Sequence, residues 1–143
     1  MNPNRVRTRG LEFRQVSGAR LENYSLFFNK MSKDHDGIGH ANIQYQKGDR
    51  VEGVLYELTQ TIEIDKMDLF ERAPINYGRE VIQVSTGSQQ IWAWTYFANK
   101  ALIRDGLDPT AEYLEHLLTG KPYLSEDYWL KLQQQSVANG PNG

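Results

Sequence analysis

The sequence feature that most constrains the fold is the stretch from residue 77 to residue 97. Residues 77–85 alternate between apolar and polar side chains, Thr86-Gly87-Ser88 has turn composition, and residues 89–97 return with many aromatic side chains. Two such runs around a short turn containing glycine predict a β-hairpin. The returning run is largely apolar on both faces, which predicts that this strand is central in its sheet.

Other strands are predicted before this hairpin. Residues 19–30 are rich in leucine, tyrosine and phenylalanine, and residues 31–39 have loop composition. Residues 40–58 contain two strand-like runs around Lys47-Gly48-Asp49-Arg50, which predicts a second hairpin. Thr59 or Thr61 is the predicted N-cap of a helix that runs to Glu71. We expect the two hairpins to form one curved antiparallel sheet.

Helices are predicted at both ends of the chain. Asn2-Pro3 and Asp108-Pro109 each read as a cap followed by proline, and Ser125 reads as the cap of a last helix. The helix after Pro109 has an apolar stripe: Tyr113, Leu114, Leu117 and Leu118. Few parallel crossovers are implied, so the predicted class is α+β with a mainly antiparallel sheet. We expect one domain over residues 1–136 and a disordered tail over residues 137–143.

Glu71 is the candidate catalytic residue. Pro74 disfavours helical geometry in the residue before it, so the helix is expected to end near Glu71. A helix C-terminus carries partial negative charge, and the neighbouring Phe70, Ala73, Pro74 and Ile75 would reduce solvation. Both effects raise the pKa of a carboxyl group, which suits it to proton transfer near neutral pH. The competing interpretation is a solvated surface glutamate.

Composition excludes several classes of function. The chain has no cysteine, which excludes disulfides, thiol nucleophiles and cysteine–metal sites. The net charge of −2 argues against a general nucleic-acid binder. There is no long apolar run and no charged-then-apolar leader, so we expect a cytoplasmic protein without a membrane span.

Two charged segments have weaker functional interpretations. The arginine-rich residues 1–20 could form a phosphate-binding patch, but a solvated helix face is the preferred interpretation. Asp34-His35-Asp36-Gly37 resembles the start of a calcium loop, yet its later ligands are missing. His35 and His40 lack zinc partners at a suitable spacing. We therefore expect no metal and no cofactor.

Several short segments, in order, resemble the gamma-glutamylcyclotransferase-like family over nearly the whole chain. Each is weak alone, and their joint order and spacing carry the resemblance. They are Gly48-Asp49-Arg50-Val51-Glu52-Gly53-Val54-Leu55-Tyr56, Asp68-Leu69-Phe70-Glu71 with Tyr77, Thr95-Tyr96, Asp105-Gly106-Leu107-Asp108-Pro109 with Tyr113, and Tyr123-Leu124-Ser125 with Tyr128.

The resemblance implies a small, mainly antiparallel β-barrel with flanking helices. It also implies an enzyme of glutathione metabolism that converts a small γ-glutamyl amine or peptide to 5-oxoproline and a free amine. The family's catalytic glutamate corresponds to Glu71, and its substrate-pocket tyrosines correspond to Tyr77, Tyr96 and Tyr113. For Tyr96, core packing is an equal alternative. Arg5 matches a basic residue for which a structural role is expected.

The sequence departs from the family at its start. The family opens with a strand and a Tyr-Gly-Ser-Asn loop that holds the substrate carboxylate, and Met1-Asn2-Pro3 resembles the segment directly after that loop. We therefore expect an exposed strand edge, a tendency to form homodimers, and poor turnover until a strand and loop are added before Met1. The alternative function is a barrel of the same fold that binds a small ligand or partner without catalysis.

Overall fold

A computed structural model of the chain describes residues 1–139. None of the helices in these residues combines the length and apolar character that crossing a membrane requires. Short 3-10 turns occur at Lys100–Leu102 and Lys121–Tyr123. The remaining elements in chain order are α1 (Pro3–Thr8), β1 (Phe13–Met31), β2 (Gly39–Leu58), α2 (Glu63–Glu71), β3 (Tyr77–Thr86), β4 (Gln89–Ala98), α3 (Ala111–Leu118) and α4 (Glu126–Gln133).

The four strands form one antiparallel sheet in the order β2-β1-β3-β4. The predicted α+β class, with an antiparallel sheet and flanking helices, is confirmed. The predicted hairpin of residues 77–97 is also confirmed, with Tyr77 opposite Ala98 and Thr86 opposite Gln89. In the described chain no ladder joins the outer strands β2 and β4, so the sheet is not closed and "barrel" describes it only loosely.

The predicted hairpin of residues 40–58 is wrong. β2 runs through this whole segment and pairs with β1, from Phe13 opposite Leu58 to Met31 opposite Gly39. Gly48 has a φ of +85° and its N–H donates to the Asn23 side chain at 3.0 Å, where the pairing with β1 shifts register. The turn-like residues therefore form a bulge, which bends a strand without reversing it. The actual turn lies in the predicted loop, between β1 and β2.

The prediction that residues 89–97 form a central strand is also wrong, because β4 is the outer strand next to β3. Trp92 is 68% exposed and Trp94 is 39% exposed. The Trp94 ring stacks under the Arg79 guanidinium at 4.8 Å, and Phe97 packs against Tyr24. Trp94 and Phe97 therefore contact individual side chains. An aromatic-rich strand does not need a neighbouring strand on each side.

Two of the predicted helix caps are confirmed. The Asn2 side chain accepts hydrogen bonds from the backbone N–H groups of Asn4 and Arg5 at the start of α1. The Ser125 side chain accepts from the N–H of Tyr128 at the start of α4. Each cap satisfies N–H groups that have no partner within the helix.

The other two predicted caps are wrong. The N-cap of α2 is Ile62, which makes no side-chain cap, so neither threonine has the predicted role. The N-cap of α3 is Thr110, whose side chain accepts from Tyr113 N–H. Asp108 precedes Thr110 in the chain. Its backbone N–H donates to the carbonyl of Gly37, and its carbonyl accepts from the N–H of Gly39, at the turn between β1 and β2. Because Asp108 is held in this extended bridge, the next residue with a suitable side chain caps the helix.

The main core cluster lies between the sheet and the C-terminal helices. Phe28 of β1 packs with Leu114 and Leu117 of α3 and with Leu132 of α4, and all four are buried. The apolar stripe predicted for α3 is the face that makes this contact. Burial of one such side chain contributes about 1.5–3 kcal/mol, so these four buried side chains hold both helices on the sheet.

Side chains link the strands that the backbone leaves unpaired. Asn42 of β2 is 4% exposed, and its carbonyl oxygen accepts from the N–H of Ala98 in β4 at 2.9 Å. Its amide donates to the side chain of Asn29 in β1 at 3.2 Å. This buried side chain therefore connects β2 to the far edge of the sheet and draws one end of the open sheet together.

The predicted domain and tail boundaries stay predictions. Residues 140–143 of the predicted disordered tail lie outside the described residues. Within residues 137–139, Ala138 donates its N–H to the carbonyl of Pro109 at 2.8 Å.

We predict that Asn42→Ala destabilises the protein by about 1–3 kcal/mol, because the buried N–H of Ala98 loses its acceptor. Chemical denaturation of the variant and wild type would measure the difference. Gln46→Ala, an exposed change on the same strand, is the control and should stay within about 0.5 kcal/mol. Equal effects of the two substitutions would show that the link between β2 and β4 contributes no stability.

Candidate active site

One cavity of about 1340 Å³ brings the four predicted site residues together. Its walls come from α1, α2, α3 and all four strands. Its lining includes Glu71, Tyr77, Tyr96 and Tyr113. These residues come from four different elements, so the cavity is a product of the tertiary fold.

Glu71 is the last residue of α2. The next residue, Arg72, adopts the left-handed conformation with a φ of 51°, and its N–H bonds to the carbonyls of Asp68 and Leu69. This arrangement terminates the helix and satisfies carbonyls that would otherwise lack partners. The helix end expected at Glu71 is therefore confirmed, and the carboxylate is presented from a capped helix terminus.

The first turns of α2 are anchored to the segment between α1 and β1. Glu63 is buried, and its carboxylate accepts from the N–H of Glu12 at 3.0 Å. Lys66 donates to the same carboxylate at 2.9 Å and to the carbonyl of Gly10 at 3.1 Å. These charge-assisted bonds fix the position of the helix that carries Glu71.

A second anchor holds α2 to the β3–β4 hairpin. The carboxylate of Asp68 accepts a short hydrogen bond from the Tyr96 hydroxyl and lies 3.3 Å from the Arg79 guanidinium. Tyr96 lines the cavity, but its hydroxyl proton is directed to Asp68. The observed hydrogen bond therefore helps to position α2. The predicted contact of Tyr96 with substrate stays a prediction.

The pKa of Glu71 is raised, as the sequence predicted. Burial of the carboxylate is the largest cause, and the positive charges of Arg9, Arg5 and Lys30 oppose it. Of the apolar neighbours predicted to reduce its solvation, Ile75 is 71% exposed and Phe70 is 50% exposed. Phe70 still lines the cavity, so the desolvation comes from the cavity walls as a whole.

Tyr77 and Tyr113 bind the backbone of one residue from two sides. The Tyr77 hydroxyl donates to the carbonyl of Ala41 at 2.9 Å, and the Tyr113 hydroxyl accepts from the N–H of Ala41 at 3.1 Å. Burial is the main cause that raises the pKa of both phenols, so both stay protonated. Tyr113 therefore keeps its proton available as a donor, whereas the Tyr77 oxygen keeps acceptor capacity.

The cavity also contains cations that the sequence did not assign to it. Arg5, for which a structural role is expected, lines the cavity together with Arg9. The predicted solvated face of α1 is therefore only its exposed side, which carries Arg7. Arg9 stacks over the Phe70 ring at 4.9 Å. Lys30 lines the cavity and is 4% exposed. The only sequence signal for Lys30 was its place in an apolar strand.

The candidate metal ligands do not converge. Asp34, His35, Asp36 and Gly37 lie exposed in the turn between β1 and β2. His40 lines the cavity, where its ring centre is 5.0 Å from that of Tyr113. Across residues 1–139 there is no group of three or more His, Cys, Asp or Glu residues that could hold a metal ion.

The class of protein follows from comparison with known families. The sequence profile of the family described as "Gamma-glutamyl cyclotransferase, AIG2-like" matches residues 1–124. The chain therefore belongs to the gamma-glutamyl cyclotransferase, AIG2-like family. A search of curated proteins found no match.

Several solved structures have a similar fold. One described as "Gamma-glutamyl cyclotransferase" has a TM-score of 0.82 and 21% identity, covering 98% of this chain and 85% of that one. An uncharacterized protein from Homo sapiens has a TM-score of 0.79 and 21% identity, with coverage of 96% and 82%. YkqA from Bacillus subtilis has a TM-score of 0.76 and 18% identity, with coverage of 96% and 52%. At these identities the likeness shows the fold alone.

We predict that Glu71→Gln makes the protein relatively more stable as the pH rises. A carboxyl whose pKa is raised on folding stabilises the folded state fully below its unfolded value of 4.5 and loses that contribution as the pH passes the raised value. Each tenfold difference in proton affinity corresponds to about 1.4 kcal/mol. Thermal unfolding between pH 4 and pH 8 would measure the difference between variant and wild type.

Glu80→Gln is the matched control, because Glu80 is exposed on β3. The stability of Glu71→Gln relative to wild type should increase between pH 4 and pH 8, while the control should follow wild type. A decrease over the same range would mean that the cations around Glu71 stabilise its charge more than burial opposes it.

Proposed function

We propose that the protein is a γ-glutamyl cyclotransferase, which converts a γ-glutamyl amine or peptide to 5-oxoproline and a free amine. The observation that carries the proposal is a half-buried carboxylate with a raised pKa in a cavity that also holds protonated tyrosines and cations. Family membership gives independent support. The required chemistry is proton transfer within one bound molecule.

Glu71 is the proposed general base and acid. The substrate's α-ammonium group must lose a proton before its nitrogen can attack the γ-carbonyl carbon. The new carbon–nitrogen bond closes a five-membered ring, and the bond to the leaving nitrogen then breaks. The attacking nitrogen loses two protons in all and the leaving nitrogen gains two, so a carboxylate that shuttles them balances the reaction.

The charges around Glu71 suit this role. Burial raises its proton affinity, which allows it to accept a proton from an ammonium group. Arg9, Arg5 and Lys30 oppose the effect of burial, and so help to keep the carboxylate ionised until substrate arrives. The balance gives the cavity an ionised base with an increased proton affinity.

The cavity also supports the positioning that an intramolecular reaction requires. Ring closure is fast when the amine is held against its own γ-carbonyl, and positioning alone can supply much of the rate. Tyr113 retains a hydroxyl proton for a substrate oxygen, and Tyr77 retains an acceptor. The cavity volume exceeds that of many small-molecule sites, which leaves room for a group beyond the γ-amide.

We predict that, in a form of the protein with the complete pocket, Glu71→Gln lowers the rate of 5-oxoproline release by about 100-fold or more. Glutamine keeps the shape of the side chain but cannot accept the proton. The assay follows 5-oxoproline formed from a panel of γ-glutamyl dipeptides and a γ-glutamyl anilide. Glu80→Gln is the control for a change of charge outside the cavity.

Two results would contradict the proposal in different ways. A rate near wild type in Glu71→Gln would exclude Glu71 as the base. Binding of γ-glutamyl compounds by the wild type without release of 5-oxoproline from any of them would favour the alternative, a non-catalytic ligand-binding protein of the same fold.

A further inference from the structure

One side-chain contact joins the start of α1 to the last turn of α3. The amide nitrogen of Asn2 lies 3.2 Å from Nδ1 of His116, and both residues line the cavity. Within residues 1–139 no other hydrogen bond joins α1 or its N-cap to α3. The contact therefore connects the helix that carries Arg5 to the helix that carries Tyr113.

The helix cap determines which atom of the Asn2 amide faces His116. The Asn2 side-chain oxygen accepts from the backbone N–H of Asn4 at 3.1 Å and from that of Arg5 at 3.3 Å. Backbone N–H groups can only donate, so the amide oxygen must face the helix. The NH2 group of Asn2 must then face the imidazole.

This orientation also determines where the imidazole carries its proton. The NH2 group of Asn2 can only donate, so Nδ1 of His116 must accept and cannot itself carry a proton. A neutral ring then has its proton on Nε2, whereas the imidazolium has a proton on each nitrogen and cannot accept the bond. Only one of the three proton arrangements of His116 therefore supports the contact.

The other end of α1 has its own attachments. Arg9 donates to Sδ of Met67 at 3.8 Å and stacks over the ring of Phe70, and both partners belong to α2. A helix of six residues is not stable by itself, so its direction depends on what holds each end. Loss of the contact at His116 should therefore affect Arg5, in the first turn, more than Arg9.

We propose that His116 is a positioning residue, which holds the start of α1 in place as the neutral Nε2–H tautomer. Its effect passes through Asn2 to the cations of α1. Arg5 and Arg9 line the cavity, and their positive charges oppose the effect of burial on Glu71. The contact itself does not depend on the proposed function, but its importance for proton transfer rests on that function.

The first experiment locates the proton on the imidazole. Nitrogen NMR of the wild type at pH 8 should show His116 protonated at Nε2 and unprotonated at Nδ1. Asn2→Asp keeps the oxygen that caps α1 but has no N–H to donate, so it should draw a proton to Nδ1 of His116. A wild-type ring with its proton on Nδ1, or a ring that does not respond to Asn2→Asp, would overturn the proposal.

The second experiment tests whether the contact holds α1. His116→Asn places an amide oxygen close to the position of Nδ1, whereas His116→Phe keeps a ring without an acceptor. Hydrogen exchange at the backbone N–H of Arg5 should become about 2- to 10-fold faster in His116→Phe, the scale of one ordinary hydrogen bond. His116→Asn should exchange at nearly the wild-type rate.

The same pair of variants tests the effect on Glu71. Carbon NMR should show that His116→Phe raises the pKa of the Glu71 carboxyl further, because Arg5 is held less firmly, and that His116→Asn restores it. His35→Asn, in the exposed turn between β1 and β2, is the control and should match wild type in exchange and in titration.

The outcomes distinguish this proposal from the proposed function, because these experiments do not require turnover. Equal exchange at Arg5 and equal titration of Glu71 in wild type and His116→Phe would overturn the positioning role, even if the protein releases 5-oxoproline. Absence of 5-oxoproline release, with the effects of His116 intact, would contradict only the enzyme proposal. Should His116→Phe not fold, His116→Gln takes its place, because its amide reaches the position of Nε2 instead. Identical behaviour of His116→Gln and His116→Asn would then overturn the proposal.

Discussion

Two consecutive residues of β2 carry interactions on which the rest of the structure depends. The peptide groups of Ala41 are bound by hydroxyls from β3 and α3, and the side chain of Asn42 binds the backbone of β4 and a side chain of β1. An open sheet can separate at its outer strands, because no ladder holds them to each other. Here the side chain of Asn42 provides that connection. The hydroxyls that bind the neighbouring Ala41 belong to Tyr77 and Tyr113, which are cavity walls. The same contacts therefore hold the sheet together and shape the site.

The helix that carries Glu71 is fixed from two directions. Its start is bonded to the segment after α1, and Asp68 near its end is bonded to Tyr96 and Arg79 of the hairpin. Both attachments are charge-assisted, which gives them strength and direction. A proton-transfer group must remain within hydrogen-bond reach of its substrate, and a rigid support on both sides of the cavity meets this requirement.

The sequence predicted correctly those elements that depend mainly on residues close together in the chain. The hairpin of residues 77–97 follows from alternation around one turn, and the end of α2 follows from the proline after it. The same reasoning failed at Gly48, because a glycine with positive φ suits a bulge as well as a turn, and the 19-residue partner strand decides between them. Lys30 could not be found, since its surroundings depend on distant elements, among them Tyr77 of β3. The hydroxyl of Tyr96 was ambiguous for the same reason: its partner lies on another element.

The raised pKa of Glu71 has a consequence for the history of proteins like this one. Burial disfavours the charged form of this carboxyl, so at neutral pH the charge weakens the fold that holds it. Where selection no longer maintains the carboxylate, random change should replace it. A relative with an aliphatic residue at the position of Glu71 should therefore unfold at a higher temperature, although its fold and family membership would be the same.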